Sequence, residues 1–405
     1  MKSVKQNYEA SEEVLDLLGT FRMMMNDCVR IGLANNNAST LKRLSLLCYK
    51  ELSRYGVVSY YKLHAISRVA GILASRKKSI RRGVATKDPY VVRPQLVSCY
   101  GFKVENGRLR VPLGEGRYFD IPLNAHTQKV LSEAGLKVRS FTLTTSSVSL
   151  TVSKEVKEIE CTRTAGLDRN RRNLTYGNVE RVVQYDLSRA VRIAETTREI
   201  VGSFRRDDAR IRRRIASKYG RRRKNRINHL LNCATRQVIR EAYDRKEAIV
   251  LEDIRGIRGL YARGNGQGGG FRGRMNSWSF GEAQRQVEYK AKWRGVPVIH
   301  LTKGETRGTT KECARCGERL QVAQWQDVGH RRQLWCPRCR RWVDRDVNAV
   351  VNQSWRGRLR FDRSLPKGAK GEACEAMKGN PTTPVILRVD ASKMTRRGIP
   401  MGYHS

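Results

Sequence analysis

No apolar run in the chain is long enough to cross a bilayer, and the opening Met1-Lys-Ser-Val-Lys-Gln6 lacks the apolar core of an export signal. Both absences lead to the expectation of a cytoplasmic protein with no membrane partner. Acidic residues are scarce beside basic ones: 38 Asp and Glu stand against 81 Lys and Arg, a formal net charge of +43. So large an excess in a compact fold needs a polyanion to offset it, which makes nucleic acid the expected partner and the nucleoid the expected place. Cys28, Cys48, Cys99, Cys161, Cys233 and Cys374 show no disulfide-framework spacing and read as reduced thiols. The 405 residues suffice for two or three domains with cores of their own, and leave monomer or weak dimer open.

The other four cysteines are ordered. Cys313-Ala-Arg-Cys316 and Cys336-Pro-Arg-Cys339 are two Cys-x-x-Cys knuckles separated by nineteen residues. Each knuckle offers two thiolates from one tight turn, and a spacer that folds back brings four sulfurs to one zinc ion. With all four ligands taken by sulfur no position stays open for water, so the zinc is expected to be structural and any catalysis to lie elsewhere.

Three acids are candidates for that chemistry. In the stretch from Asp344 to Trp355, Val347, Val350 and Val351 recur at helical spacing, with Asp344 as a candidate cap and Asp346 at the edge of the apolar face. Asp168, in Ala165-Gly-Leu-Asp168-Arg-Asn170, sits in a short strand pattern that a second one at Val179–Tyr185 follows, and Glu252 ends the apolar run Ala248-Ile-Val-Leu251. Singly, each is as readily an ordinary carboxylate in solvent. Two strand-borne acids with one helix-borne acid match a way of holding two Mg²⁺ or Mn²⁺ ions on hard oxygen ligands.

Around these motifs the pattern is helical from Ser11 to about Val84, with tyrosines among its later lysines and arginines. It turns to strands from Pro94 to about Val156, where Asn106-Gly107 marks a hairpin. Between Arg205 and Arg226, 12 of 22 residues are Arg or Lys, followed by the apolar stripe Ile227, Leu230, Leu231, Ala234 and Val238. Arg205, Arg206, Arg210, Arg212, Arg213, Arg214, Arg221, Arg222, Arg223 and Lys224 are the candidate nucleic-acid contacts of such a helix, made to phosphate and ribose. Gly256–Gly273, with eight glycines, reads as a flexible loop.

The ordered set Gly166-Leu-Asp168, Leu251-Glu252-Asp253, Asn276-Ser-Trp-Ser-Phe280, the two knuckles and Asp344-Arg-Asp346-Val-Asn348-Ala resembles the TnpB family of transposon-encoded RNA-guided DNA endonucleases, and is similar also to the related miniature type V CRISPR effectors. The resemblance runs from about residue 166 to 352. It implies a multidomain α+β fold: a helical recognition domain (1–90), a β-barrel wedge domain (91–160), a RuvC or ribonuclease H-like α/β nuclease domain (161–310, with its last helix at 342–356) and an inserted four-cysteine zinc ribbon (311–341); the remaining residues, rich in Arg, Lys, Gly and Pro with little periodicity, read by composition as a basic disordered tail (357–405). The resemblance also implies Asp168, Glu252 and Asp346 as catalytic magnesium ligands, Cys313, Cys316, Cys336 and Cys339 as zinc ligands, and a guide RNA and double-stranded target DNA as partners. Many relatives carry Gly where this chain has Asn170, a residue that tolerates the same backbone angles. A nuclease-inactive RNA-guided repressor, a transposition accessory that binds DNA, and a guide-independent structure-selective nuclease stay open as alternatives.

Overall fold

The computed structural model describes residues 1–204, 209–254, 256–262, 264, 266–276, 278–322, 324, 332–364 and 385–394. The chain divides into two units, Met1–Glu155 and Val156–Ser405.

In the first unit β1 (Lys2–Asn7) precedes α1 (Glu12–Ala34), α2 (Leu41–Cys48) and α3 (Ser59–Arg81). The Ser11 hydroxyl accepts from the Val14 N–H to start α1, whose Val14, Leu17, Leu18, Phe21 and Met25 form the buried face that the spacing predicts. There follow β2 (Leu96–Ser98), β3 (Lys103–Glu105), β4 (Arg108–Gly114), β5 (Arg117–Pro122), α4 (Ala125–Leu131), β6 (Leu136–Leu143) and β7 (Ser147–Lys154). Asn106 and Gly107 take left-handed angles, φ 49° and 69°, and close the β3–β4 hairpin with Glu105 opposite Arg108. Two expectations need correction. Helices and strands do not build separate domains: Phe21, Tyr61 and Leu73 join Leu109, Phe141 and Leu150 in one core, and the Tyr61 hydroxyl donates to the Pro112 carbonyl at 2.8 Å. Nor do the strands pair as one closed barrel; they form a four-stranded sheet, β1-β7-β6-β2, and a three-stranded one, β3-β4-β5. Within the expected strand region the chain turns at Gly101, where φ is +76° and a Cβ would lie 2.1 Å from the Tyr60 hydroxyl. β2 and β3 therefore serve different sheets.

The second unit is built on a six-stranded sheet. Its strands are β8 (Arg163–Arg169), β9 (Asn173–Gly177), β10 (Arg181–Asp186), β11 (Glu247–Leu251), β12 (Val298–His300) and β16 (Val385–Asp390), in the order β12-β11-β8-β9-β10-β16. Only β9 runs antiparallel to its neighbours. Between β10 and β11 lie α5 (Ser188–Ser203), a π-helical turn (Ile211–Ala216) and α6 (Ser217–Asp244). α7 (Gly269–Asn276) and α8 (Phe280–Arg294) separate β11 from β12. After β12, α9 (Lys303–Thr306) leads to a small antiparallel sheet of β13 (Gln321–Val322), β14 (Gln333–Cys336) and β15 (Arg341–Asp344), and then to α10 (Arg345–Ser364).

Strand parity settles which helices cover which face. Ala165, Leu167, Val183 and Tyr185 pack with Leu231 and Val238 of α6 and Val287 of α8. Val182, of opposite parity, packs with Val347, Val350 and Val351 of α10. α10 thus lies on the far side of the sheet, and glycines let it come close. A Cβ on Gly166 would sit 2.2 Å from the Val350 carbonyl oxygen, and one on Gly357 would sit 2.2 Å from Val250 Cγ2.

Three expectations differ from the structure here. α10 continues to Ser364 and Val385–Asp390 pairs in parallel with β10, so these parts of the expected disordered tail are ordered, while 365–384 and 395–405 lie outside the described residues. The glycine-rich stretch carries a 3-10 turn over Ile257–Tyr261 as well as α7. β9 lies outside the expected strand patterns. No helix among the described residues is long and apolar enough to cross a membrane.

Candidate active site and metal centre

Gly166 faces α10, so Asp168, two residues on, faces the same way. On β11 the pairing of Leu251 with Leu167 puts Glu252 next to Asp168 at the carboxyl ends of two adjacent parallel strands, and Val250 against Gly357 gives Glu252 the same face. The third acid, Asp346, stands in the first turn of α10. Asp344 caps that helix as the sequence predicts, its Oδ1 accepting from the N–H groups of Asp346 (2.9 Å) and Val347 (3.0 Å). Val347, Val350 and Val351 then bury that turn against the sheet, each contributing about 1.5–3 kcal/mol. Segments far apart in sequence thereby bring three carboxylates to one face of the sheet, close enough for Glu252 and Asp346 to act on Asp168.

Each acid has its own partners. Asn170 Nδ2 donates to Asp168 Oδ2 at 2.7 Å, and Thr309 Oγ1 donates to Glu252 Oε1 at 2.8 Å. Asp346, whose side chain is 4% exposed, accepts from Asn173 Nδ2 at 3.0 Å and Arg332 Nη2 at 2.7 Å. Burial, and then the charges of Glu252 and Asp346, push the Asp168 carboxyl up to about 7. The buried Arg169 points to the other face, where it donates to Gln284 Oε1 at 2.6 Å and to the Glu252 carbonyl at 2.7 Å, fixing β8, β11 and α8 to one another.

Asn173, Thr309 and Arg332 were not candidates from sequence. Asn173 opens β9 and its Oδ1 is buried without a partner beside Asp346. Three carboxylates with that free amide oxygen make a hard-oxygen donor set, which suits Mg²⁺ or Mn²⁺.

The four cysteines meet as the knuckle spacing requires. Their sulfurs all lie within 4.8 Å of one another, Cys313 to Cys339 at 4.0 Å and Cys316 to Cys336 at 3.5 Å. Four thiolates about 2.3 Å from a tetrahedral zinc stand about 3.8 Å apart, so the observed spacing fits the metal. Left-handed Gly317 (φ 74°) and Arg340 (φ 50°) each follow the second cysteine of a knuckle, and the Cys339 N–H points to Cys336 Sγ at 3.4 Å. Leu320, Leu334 and Val343 close around the sulfurs. Among the described residues the cysteines are the one set of three or more His, Cys, Asp or Glu gathered so tightly.

Two asparagines join this centre to α10. Asn348 Oδ1 accepts from the Ala314 N–H at 2.9 Å, and its Nδ2 donates to the carbonyls of Thr309 (3.2 Å) and Glu312 (2.7 Å). Asn352 Nδ2 donates to the same two carbonyls, each at 2.8 Å. The loop into the first knuckle is thus bound to the helix that carries Asp346, and the same loop supplies Thr309 to Glu252.

The candidate nucleic-acid contacts divide. Arg205 and Arg206, and the side chain of Arg212, lie outside the described residues. Arg210 precedes the π-helical turn, Arg213 and Arg214 lie in it, and Arg221 and Lys224 are exposed on α6. Arg222 and Arg223 instead turn toward α5 and line a cleft with Arg189, Arg192 and Arg226, which the sequence reading passed over.

A family model described as the Cas12f1-like TNB domain matches residues 280–353. The TnpB-like protein MJ0751 of Methanocaldococcus jannaschii is 27% identical over 265 residues, covering 62% of this chain and 91% of that protein. A cryo-EM structure of a Cas12f1–sgRNA–target DNA complex matches with a TM-score of 0.57 at 11% identity, covering 85% of this chain and 83% of the other, a likeness of fold.

Proposed function

We propose that this chain, which belongs to the TnpB family, is an RNA-guided DNA endonuclease that cleaves phosphodiesters at Asp168, Glu252 and Asp346. The observation that carries the reading is the convergence of these three acids, from β8, from the end of β11 and from the first turn of α10, on one face of the sheet. The antiparallel β8-β9-β10 meander, extended by parallel β11 and β12 beside β8, supports a ribonuclease H-like nuclease domain interrupted by a zinc ribbon.

Asp168, Glu252 and Asp346 would hold two Mg²⁺ or Mn²⁺ ions, which when bound lower the pKa of water and neutralise charge on the scissile phosphate. Everything else is work for the chain itself. Asn170, Asn173 and Thr309 hold the three carboxylates in place through hydrogen bonds to Asp168, Asp346 and Glu252. Arg332 supplies the positive charge nearest Asp346 and must give way as the ions bind. Zinc held by Cys313, Cys316, Cys336 and Cys339 would brace the loop that Asn348 and Asn352 grip, and so the position of α10. A guide RNA supplies sequence recognition by base pairing, and the protein reads a short motif beside the target in duplex DNA.

The test is Asp168→Ala. Cleavage of a guide-matched plasmid should be lost while guide and target binding stay close to wild type. Equal loss of binding and cleavage would refute the catalytic role.

A further inference from the structure

The antiparallel pair α5 and α6 presents two arginine faces to each other. On α5, Arg189, Arg192, Ile193, Thr196, Thr197 and Ile200 recur at three and four residues, and on α6 Tyr219, Arg222, Arg223 and Arg226 do the same. Between them lies a cleft of about 360 Å³. None of the five arginines makes an ion pair or hydrogen bond among the described residues, and neither Glu195 nor Glu199 lines the cleft. Glu195 is held instead by Arg171. Like charges gathered without a counterion among the described residues repel, so the cleft favours an anion.

Its shape narrows the choice of anion. A volume of 360 Å³ corresponds to a sphere roughly 9 Å across, too small to enclose a double helix, whose major groove alone is roughly 12 Å wide. Ile193 and Ile200 give the cleft apolar surface, and the Tyr219 ring, partly exposed and 5.9 Å from that of Phe204, offers a stacking platform. Thr197 Oγ1 already donates its proton to the Ile193 carbonyl at 2.7 Å, so toward a ligand it can only accept. A ribose 2′-hydroxyl is a donor for it that deoxyribose lacks.

We infer that the α5–α6 cleft seats an unpaired segment of RNA, its phosphates against Arg189, Arg192, Arg222, Arg223 and Arg226, one base on Tyr219 and one 2′-hydroxyl at Thr197. That this RNA belongs to the guide rests on the guided-nuclease reading; the cleft itself does not.

The test uses the full chain with a fluorescent oligouridylate and the deoxyribose strand of the same sequence, titrated across salt. Arg192→Gln with Arg223→Gln and Arg226→Gln should flatten the slope of log affinity against log salt by about 2, since each single-strand phosphate contact contributes about 0.7. Lys103→Gln, Lys129→Gln and Lys292→Gln together, an equal change of charge on exposed side chains elsewhere, should leave the slope as it was. The ribose strand should lose more affinity than the deoxyribose strand. In the wild-type protein, 4-thiouridine in the ribose strand should crosslink to the peptide holding Tyr219. Equal flattening in both triple variants, equal loss for both strands, or a crosslink that maps elsewhere would overturn the inference. Failure of the guided reading looks different: wild-type protein would retain no discrete RNA from cells, while the cleft variants would still lose the oligouridylate.

Discussion

Asp168 makes the metal-free protein pay for alkaline conditions, and the effect can be measured. Its carboxyl is raised from an ordinary 3.8 to about 7 by burial and by the neighbouring Glu252 and Asp346 charges. Between these two values the folded state holds a proton that the unfolded chain has released, so stability falls as pH rises through that window. Below about pH 4 both states are protonated and nothing is lost; above about pH 7 the full penalty applies. A shift of about three units at 1.36 kcal/mol each amounts to roughly 4 kcal/mol. For a unit of some 250 residues that corresponds to about 10 °C in melting temperature. Asp168→Asn keeps the shape and removes the titration. Melting curves recorded without magnesium, and without a chelator that would strip zinc, should therefore coincide for variant and wild type near pH 4 and separate to roughly 10 °C near pH 8, the variant being the more stable. Added Mg²⁺ should raise the wild-type melting temperature more at the higher pH and leave the variant nearly unmoved. A gap that does not change with pH would refute the raised titration assigned to this buried acid.

The remaining predictions follow from close contacts and ligands. Gly166→Ala places a Cβ 2.2 Å from the Val350 carbonyl oxygen, so α10 must shift; a loss of about 1–3 kcal/mol is expected in denaturant melts, with cleavage impaired although all three acids remain. Asn348→Ala leaves the Ala314 N–H without its acceptor and removes a donor from the Thr309 and Glu312 carbonyls. It should cost about 1–3 kcal/mol and speed zinc release to a chromogenic chelator, with zinc still bound at rest. Cys313→Ser should lower the melting temperature and reduce the zinc measured per chain by mass spectrometry, and an unchanged melting curve would refute a structural zinc.

What could be read in the sequence depended on how local its cause was. The knuckles are set by spacing within a few residues, and the Asp344 cap and the valine face of α10 by one helical turn, so each was legible. Glu252 and Asp168 were legible as ends of short apolar runs. Their placement side by side depends on β11 pairing with β8, a contact between segments some eighty residues apart that no local pattern encodes. β16 was hidden because Val385-Ile-Leu-Arg-Val389 follows a long basic stretch and buries mainly Val389, as an edge strand does. β1 was missed for a similar reason: Lys2–Asn7 is polar and brief, and β7, its partner, lies at the other end of the first unit. Asn173, Thr309 and Arg332 carry no distinguishing pattern; only the fold brings them to the acids. Arg189 and Arg192 carry no local pattern that marks them; only the packing of α5 on α6 sets a second arginine face opposite them.

The central claim is that a bound RNA directs this nuclease, and sequencing the RNA that co-purifies with the protein, expressed together with its native downstream flank, tests it most directly. A discrete species with a constant structured part and a short segment matching the element's border is predicted. A heterogeneous mixture of cellular RNA would contradict the account and reduce the positive charge to a general affinity for polyanions.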